Sequence, residues 1–338
     1  MNTIIGHDWA VNWLRSALAR GAVHHAYCLT GPPAIGKRTL ALEVARALLC
    51  TAPAGADRPC GACPACQKSA AGKHPDLRVL QPPSDAAALT VEQMRTVVHD
   101  AALSPLEGRY KVFVIAGMNQ ATAAASNALL KTLEEPPGYV VIILLSDQRE
   151  ALLPTIASRC QVIGLRPLPT QLIEQALVTR WQVPPARAAL LARLSHGRLG
   201  WAVRLAQDDA AWTARGRQVD DLLRLVSAGR VPRLAHAAAL AQDEAQVLPT
   251  LVTWQSIWRD VWLHQVQRGD RALNVDRAPT LCALAERLSP QEVTAALRAV
   301  GRTADLVGRN VNTRLALEVL LLRLPFTNGA MICQSSLG

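Results

Sequence analysis

The sequence predicts an α/β fold on a parallel sheet in its first half and an all-helical second half. Three observations carry this reading. Short apolar runs alternate with helical patterns before residue 166, a phosphate-loop motif lies between one such run and a helix, and strand signals stop after Arg166-Pro167-Leu168-Pro169.

The elements follow in order. Tyr27-Cys28-Leu29-Thr30 reads as a strand entering the loop Gly31-Pro32-Pro33-Ala34-Ile35-Gly36-Lys37, and residues 39–50 read as the helix leaving it. Lys111-Val112-Phe113-Val114-Ile115 is a second buried strand, residues 121–135 form a helix stopped by Pro136-Pro137, and residues 139–145 form a third strand. Beyond Pro169, residues 170–207 have room for a small group of helices and residues 212–324 for a larger helical domain. Trp254, Trp258 and Trp262 stand at i, i+4 and i+8 on one helix face, which we expect to pack into a core.

Composition narrows the class. With 338 residues and half of them apolar, the chain can bury real cores. No apolar run approaches the roughly 18 to 20 residues of a membrane span. The start, Met1-Asn2-Thr3-Ile4-Ile5-Gly6-His7-Asp8, has no basic region followed by an apolar one, so the expected compartment is the cytoplasm, with no membrane partner. A net charge of +10 permits a polyanionic partner without demanding one, because Arg outnumbers Lys 31 to 5 in an Ala-rich chain.

The phosphate loop departs from its motif. G-x-x-x-x-G-K-[ST] uses loop amides and the helix N-terminus to cradle phosphate, Lys to reach the β/γ-phosphates and a hydroxyl to ligate Mg²⁺. Arg38 replaces that hydroxyl, and Thr39 lies about 100° further round the helix. A working ATPase of this type also needs an acidic pair after the second strand, where this chain has Ala116-Gly117. Mg²⁺ is therefore not expected. Two readings stand for ATP or ADP: the loop merely turns the chain, or Gly31, Gly36, Lys37 and Thr39 still hold a nucleotide phosphate without hydrolysis.

Cys50, Cys60, Cys63 and Cys66 form C-x9-C-x2-C-x2-C, and four thiolates at this spacing suit a structural, tetrahedral Zn²⁺ site with no open position. His74 is the nearest spare ligand and is expected in a turn before Pro75 instead. Cys28, Cys160, Cys282 and Cys333 are scattered and receive no redox role.

The run Asn127-Ala128-Leu129-Leu130-Lys131-Thr132-Leu133-Glu134-Glu135-Pro136-Pro137, the four cysteines and Ser158-Arg159-Cys160 together resemble bacterial clamp-loader subunits of the AAA+ class, from about His7 to Leu324. The resemblance implies an AAA+ domain over 1–166 with the zinc loop 50–66 inserted, a helical lid over 167–208, a helical collar over 209–326 and a loose tail over 327–338. It implies that Arg159 is an arginine finger acting in trans on a neighbour's ATP site, where a guanidinium neutralises charge on the transferred phosphoryl, an effect worth roughly 10³ to 10⁵ in rate. Active members carry a sensing arginine where this chain has Gly200, two residues after Arg198, and their γ-phosphate sensor falls in the region of Ser146 and Asp147.

The resemblance thus points to a non-hydrolysing member rather than an ATP-hydrolysing gamma or tau subunit. Its implied partners are gamma/tau-type and delta-type subunits, with the sliding clamp and primer-template DNA reached through the complex. Two rival readings are an active ATPase of the same type and a zinc-dependent nucleic-acid-binding protein. Arg38, Ala116 and Gly117 argue against the first. Against the second, residues 50–66 hold Arg58 as their one basic side chain and no aromatic to stack on bases.

Overall fold

The computed structural model describes residues 4–53, 57–82, 88–308 and 311–327. Cys333 and the tail after residue 327 lie outside them. The chain divides into two compact units, one running to Trp181 and taking in Ser195–Ala202, the other comprising Gln182–Leu194 and the chain from Val203.

The first unit is built on five parallel strands in the order β2-β3-β4-β1-β5: β1 (Ala26–Thr30), β2 (Leu77–Leu80), β3 (Lys111–Ile115), β4 (Val140–Ser146) and β5 (Gln161–Gly164). Every residue of β1, β3 and β4 is buried, because helices cover both faces of a parallel sheet. Side chains alternate between the faces with period two. Tyr27, Leu29, Val112, Val114, Val141 and Ile143 join one core with Leu14 of α1 (Asp8–Ala19) and Leu40 and Val44 of α2 (Lys37–Leu49). Cys28, Phe113, Ile115, Ile142 and Leu144 join the other with Met94 of α4 (Val91–Ala102) and Leu129 of α5 (Ala123–Glu134). Three short or terminal helices complete the unit: α3 (Pro64–Ala70), α6 (Pro154–Ala157) and α7 (Thr170–Trp181).

The sequence reading found the three central strands and missed β2 and β5. Both are four-residue edge strands with exposed positions, so neither carries the unbroken apolar run of a central strand. The register of β2 is secured by Asp76, whose fully buried carboxylate accepts backbone N–H groups of Leu106 (2.7 Å), Glu107 (2.8 Å) and Gly108 (2.8 Å). Burial alone would raise this carboxyl; the three amides outweigh it and hold it below the usual carboxylate range.

The second unit is helical. It contains α8 (Pro185–Leu194), α10 (Asp209–Val226), α11 (Arg230–Leu240), α12 (Glu244–Gln265), α13 (Ala278–Arg287), α14 (Pro290–Val307) and α15 (Thr313–Arg323), and the boundary between units falls within α9 (Leu199–Gln207). The helices α7, α8 and α9, grouped by the sequence reading in residues 167–208, are thus shared between the two units. The long α12 is central: Val247, Leu251, Trp254, Trp258 and Val261 recur at helical spacing and pack against Leu222 of α10, Leu284 of α13, Val300 of α14 and Leu317 of α15. Trp254 and Trp258 are fully buried as expected, whereas Trp262 is 38% exposed, because each step of four residues turns about 40° further round the helix and carries the stripe off the buried face, which Val261 occupies at that level.

Arg233 ties this bundle together. Its buried guanidinium donates to five backbone carbonyls, those of Leu225 (2.9 Å), Val226 (3.3 Å), Leu321 (3.0 Å), Leu324 (2.7 Å) and Pro325 (2.8 Å). These carbonyls belong to the C-terminal ends of α10 and α15, where helix geometry leaves acceptors in excess and the macrodipole favours a cation; those of Leu225 and Val226 also accept the amides of Ala228 (3.2 Å) and Thr327 (3.1 Å). Among the described residues, no helix is long and apolar enough to cross a membrane.

Candidate functional site

The phosphate loop lies where its motif demands, between β1 and α2. Gly31 has φ 143°, and a Cβ there would stand 2.5 Å from the Leu165 carbonyl oxygen, so only glycine fits. Gly36 (φ 113°) and Ala34 (φ 60°) are also left-handed. Lys37 opens α2, and its side chain is only 10% exposed. Its ammonium donates to the carbonyls of Gly31 and Pro32 (2.9 Å) and to Asp147 Oδ1 (2.7 Å), so all three of its N–H bonds meet oxygens of the chain itself. Beside the loop opens a cavity of about 720 Å³ lined by His7, Trp9, Gly31, Leu165 and Arg166.

The positions that would carry Mg²⁺ chemistry are turned to other uses. Arg38 is exposed and donates to Gln81 Oε1 (2.9 Å), and Thr39 lies on the exposed face of α2. Ala116 gives its N–H to the Leu80 carbonyl (2.8 Å), and Gly117, at φ 76°, sits so close to Pro82 that a Cβ would approach its ring to 2.7 Å. Gly200 donates its N–H to the Ala34 carbonyl (2.9 Å), and a Cβ at Gly200 would lie 2.8 Å from that oxygen. A side chain at position 200 would therefore collide with the loop. Arg198, the neighbouring candidate for a sensing role, gives Nε to the Ser195 carbonyl (3.0 Å) and lies 5.8 Å from the centre of the Trp201 ring, with burial lowering its pKa.

The four cysteines converge. Cys50 caps α2, Cys60 lies in the following loop, Cys63 is the N-cap of α3 and Cys66 lies in its first turn. Their sulfurs all fall within 4.8 Å of one another, and Cys50 Sγ and Cys63 Sγ are 3.9 Å apart. A tetrahedral ion with metal–sulfur bonds of about 2.3 Å needs sulfurs about 3.8 Å apart, so the donor set fits such an ion. The Cys63 and Cys66 amides point at Cys60 Sγ and Cys63 Sγ, each at 3.4 Å. Burial works to raise the Cys63 thiol, but hydrogen bonds from Thr51 and the Cys66 amide outweigh it and bring it down to about 5. Burial pushes Cys66 up to about 12. His74 is buried outside this cluster, and its Nδ1 accepts the Asp76 amide at 3.1 Å.

Arg159 follows α6 at the entry to β5. Its side chain is 34% exposed, with Nη2 2.7 Å from Glu134 Oε1 and Nη1 donating to the Thr155 carbonyl (2.8 Å) and Ser158 Oγ (3.3 Å). Glu134 closes α5, the helix ended by Pro136-Pro137, so two separated motifs meet in one ion pair. The sequence reading named Arg159 but not Glu134, and it named Asp147 but not its contact with Lys37. Only the doubled acid before the prolines hinted at the first pair, and nothing local announced the second.

A five-stranded parallel sheet with a phosphate loop after β1, joined to an all-helical C-terminal unit, defines a clamp-loader-like AAA+ protein. A family model described as DNA polymerase III, delta subunit, matches residues 6–169, and one described as DNA polymerase III, delta subunit, C terminal, matches residues 209–325. The chain is 30% identical over 319 residues to DNA polymerase III subunit delta' of Bacillus subtilis (strain 168) and 34% identical over 326 residues to that of Escherichia coli (strain K12), each alignment spanning 92% of this chain and 94% of the relative. It is 33% identical to Escherichia coli (strain K12) DNA polymerase III subunit tau over 208 residues, 60% of this chain and 32% of that one. The chain belongs to the delta-prime family of DNA polymerase III subunits.

Proposed function

We propose that this chain is a non-hydrolysing subunit of a pentameric clamp loader, working in the cytoplasm as an accessory subunit of the polymerase III holoenzyme. It supplies Arg159 to the ATP site of a neighbouring gamma/tau-type subunit while the assembly places the sliding clamp on primer-template DNA. One contrast carries the reading: the metal positions of its own loop are Arg38, Ala116 and Gly117, yet the Ser158-Arg159-Cys160 motif keeps a partly exposed guanidinium. In this reading residues 1–166 form the AAA+ domain, 167–208 the lid and 209–326 the collar through which gamma/tau-type and delta-type subunits assemble.

The cysteine cluster holds Zn²⁺ as a structural ion, because four thiolates leave no position for water or substrate. It clamps the end of α2 to the start of α3. The test of the function is ATP hydrolysis by the reconstituted loader, stimulated by clamp and primed DNA, with wild-type chain or Arg159→Ala. A loss supports the finger role; unchanged hydrolysis refutes it.

A further inference from the structure

We propose that Asp147 is the built-in anion of the phosphate loop: its carboxylate takes the place on Lys37 that a nucleotide phosphate takes in active loops, and so excludes phosphate from it. The register of the sheet makes this contact. Thr30 of β1 pairs with Ser146 of β4, so the next residue of each strand leaves the sheet side by side, Gly31 into the loop and Asp147 opposite it. Ser146 Oγ donates to the Gln148 carbonyl (2.7 Å) and the Asp147 N–H reaches Asn119 Oδ1 (3.4 Å), which fix the turn that presents the carboxylate.

The contact is complete as chemistry. An ammonium has three donors, and here they meet the Asp147 carboxylate and the Gly31 and Pro32 carbonyls, with the Lys37 side chain 10% and the Asp147 side chain 37% exposed. An incoming phosphate would have to displace these oxygens and bring a second negative charge against Asp147. The loop is pinned at a second point by the Gly200 amide on the Ala34 carbonyl. Lys37 and Gly36 are thus kept for structure: they close the loop that joins β1 to α2 around an internal acid.

The proposal is independent of Arg159 and is tested on the isolated full chain with pyrophosphate and ADP, by calorimetric titration and by thermal shift. Wild type is expected to bind too weakly to saturate over the titrated range, which sets a lower limit on its Kd, and to show no shift. Asp147→Ala is expected to bind pyrophosphate at least about tenfold tighter than wild type, with Asp147→Asn between them and a melting temperature raised by pyrophosphate in the variants alone. Adding Lys37→Ala to Asp147→Ala is expected to abolish the gain. Asp147→Asn preserves the shape of the site, so it remains informative if Asp147→Ala folds poorly. Lys37-dependent binding by wild type as tight as that of Asp147→Ala overturns the proposal, as does a folded Asp147→Asn that binds no better than wild type.

Discussion

Glu134 Oε1 lies 2.7 Å from Arg159 Nη2 and joins the Leu-Glu-Glu-Pro-Pro end of α5 to the Ser-Arg-Cys segment before β5. Both side chains are substantially exposed, so the pair is worth only about 0.2–1 kcal/mol; under the proposed finger role it would aim the guanidinium and still let it leave. Glu134→Ala is expected to slow clamp- and DNA-stimulated hydrolysis by the assembled loader about 1.5- to 5-fold at unchanged KM, with Glu134→Gln keeping most of the rate. Steady-state kinetics at low salt checks this.

Asp76 should govern both stability and its pH dependence. Replacing it with Ala leaves the amides of Leu106, Glu107 and Gly108 without their acceptor, at an expected cost of about 3 kcal/mol or more. Because its folded pKa is lowered, its contribution is complete above the unfolded carboxylate pKa of about 3.9 and is lost as pH falls through the lower folded value. Urea melts should therefore separate wild type from Asp76→Asn at neutral pH, and the gap should shrink in strong acid.

The central strands and the loop were legible in the sequence because each is a local pattern. Burial on both faces writes an unbroken apolar run into β3 and β4, and the loop's glycines answer to backbone angles at single positions. The edge strands β2 and β5 lack that signal. The Lys37–Asp147 contact joins residues 110 apart and exists only through the pairing of β1 with β4, so no window of sequence contains it. The cysteine cluster was legible because its last three members lie within seven residues of chain.

Zinc should be bound at one ion per chain and released by chelators, with Cys66→Ser eliminating it, since Cys66 is the buried ligand inside α3. Removal should lower the melting temperature and loosen the α2–α3 junction, because the binding free energy of such an ion is largely folding free energy. Metal analysis by mass spectrometry, paired with thermal melts before and after chelation, reads both effects.

Arg233→Ala should destabilise the helical unit by about 3 kcal/mol or more, since five carbonyls at two helix ends lose the guanidinium and, among the described residues, only those of Leu225 and Val226 keep a backbone amide, from Ala228 and Thr327. Arg233→Lys should recover only part of this: three donors on one nitrogen cannot reproduce a planar fork of five. Chemical denaturation of the full chain, followed by helical circular dichroism, checks both variants.

The most direct test uses a loader in which only the ATP site that Arg159 is proposed to reach is competent, its other sites disabled by substitution of their own phosphate-loop lysines. Single-turnover ATP hydrolysis is then measured with wild-type chain and with Arg159→Ala. A rate lowered by about 10³-fold, with ATP still bound and the assembly intact by native mass spectrometry, is the expected result. Hydrolysis at the wild-type rate in an intact Arg159→Ala assembly would contradict the account.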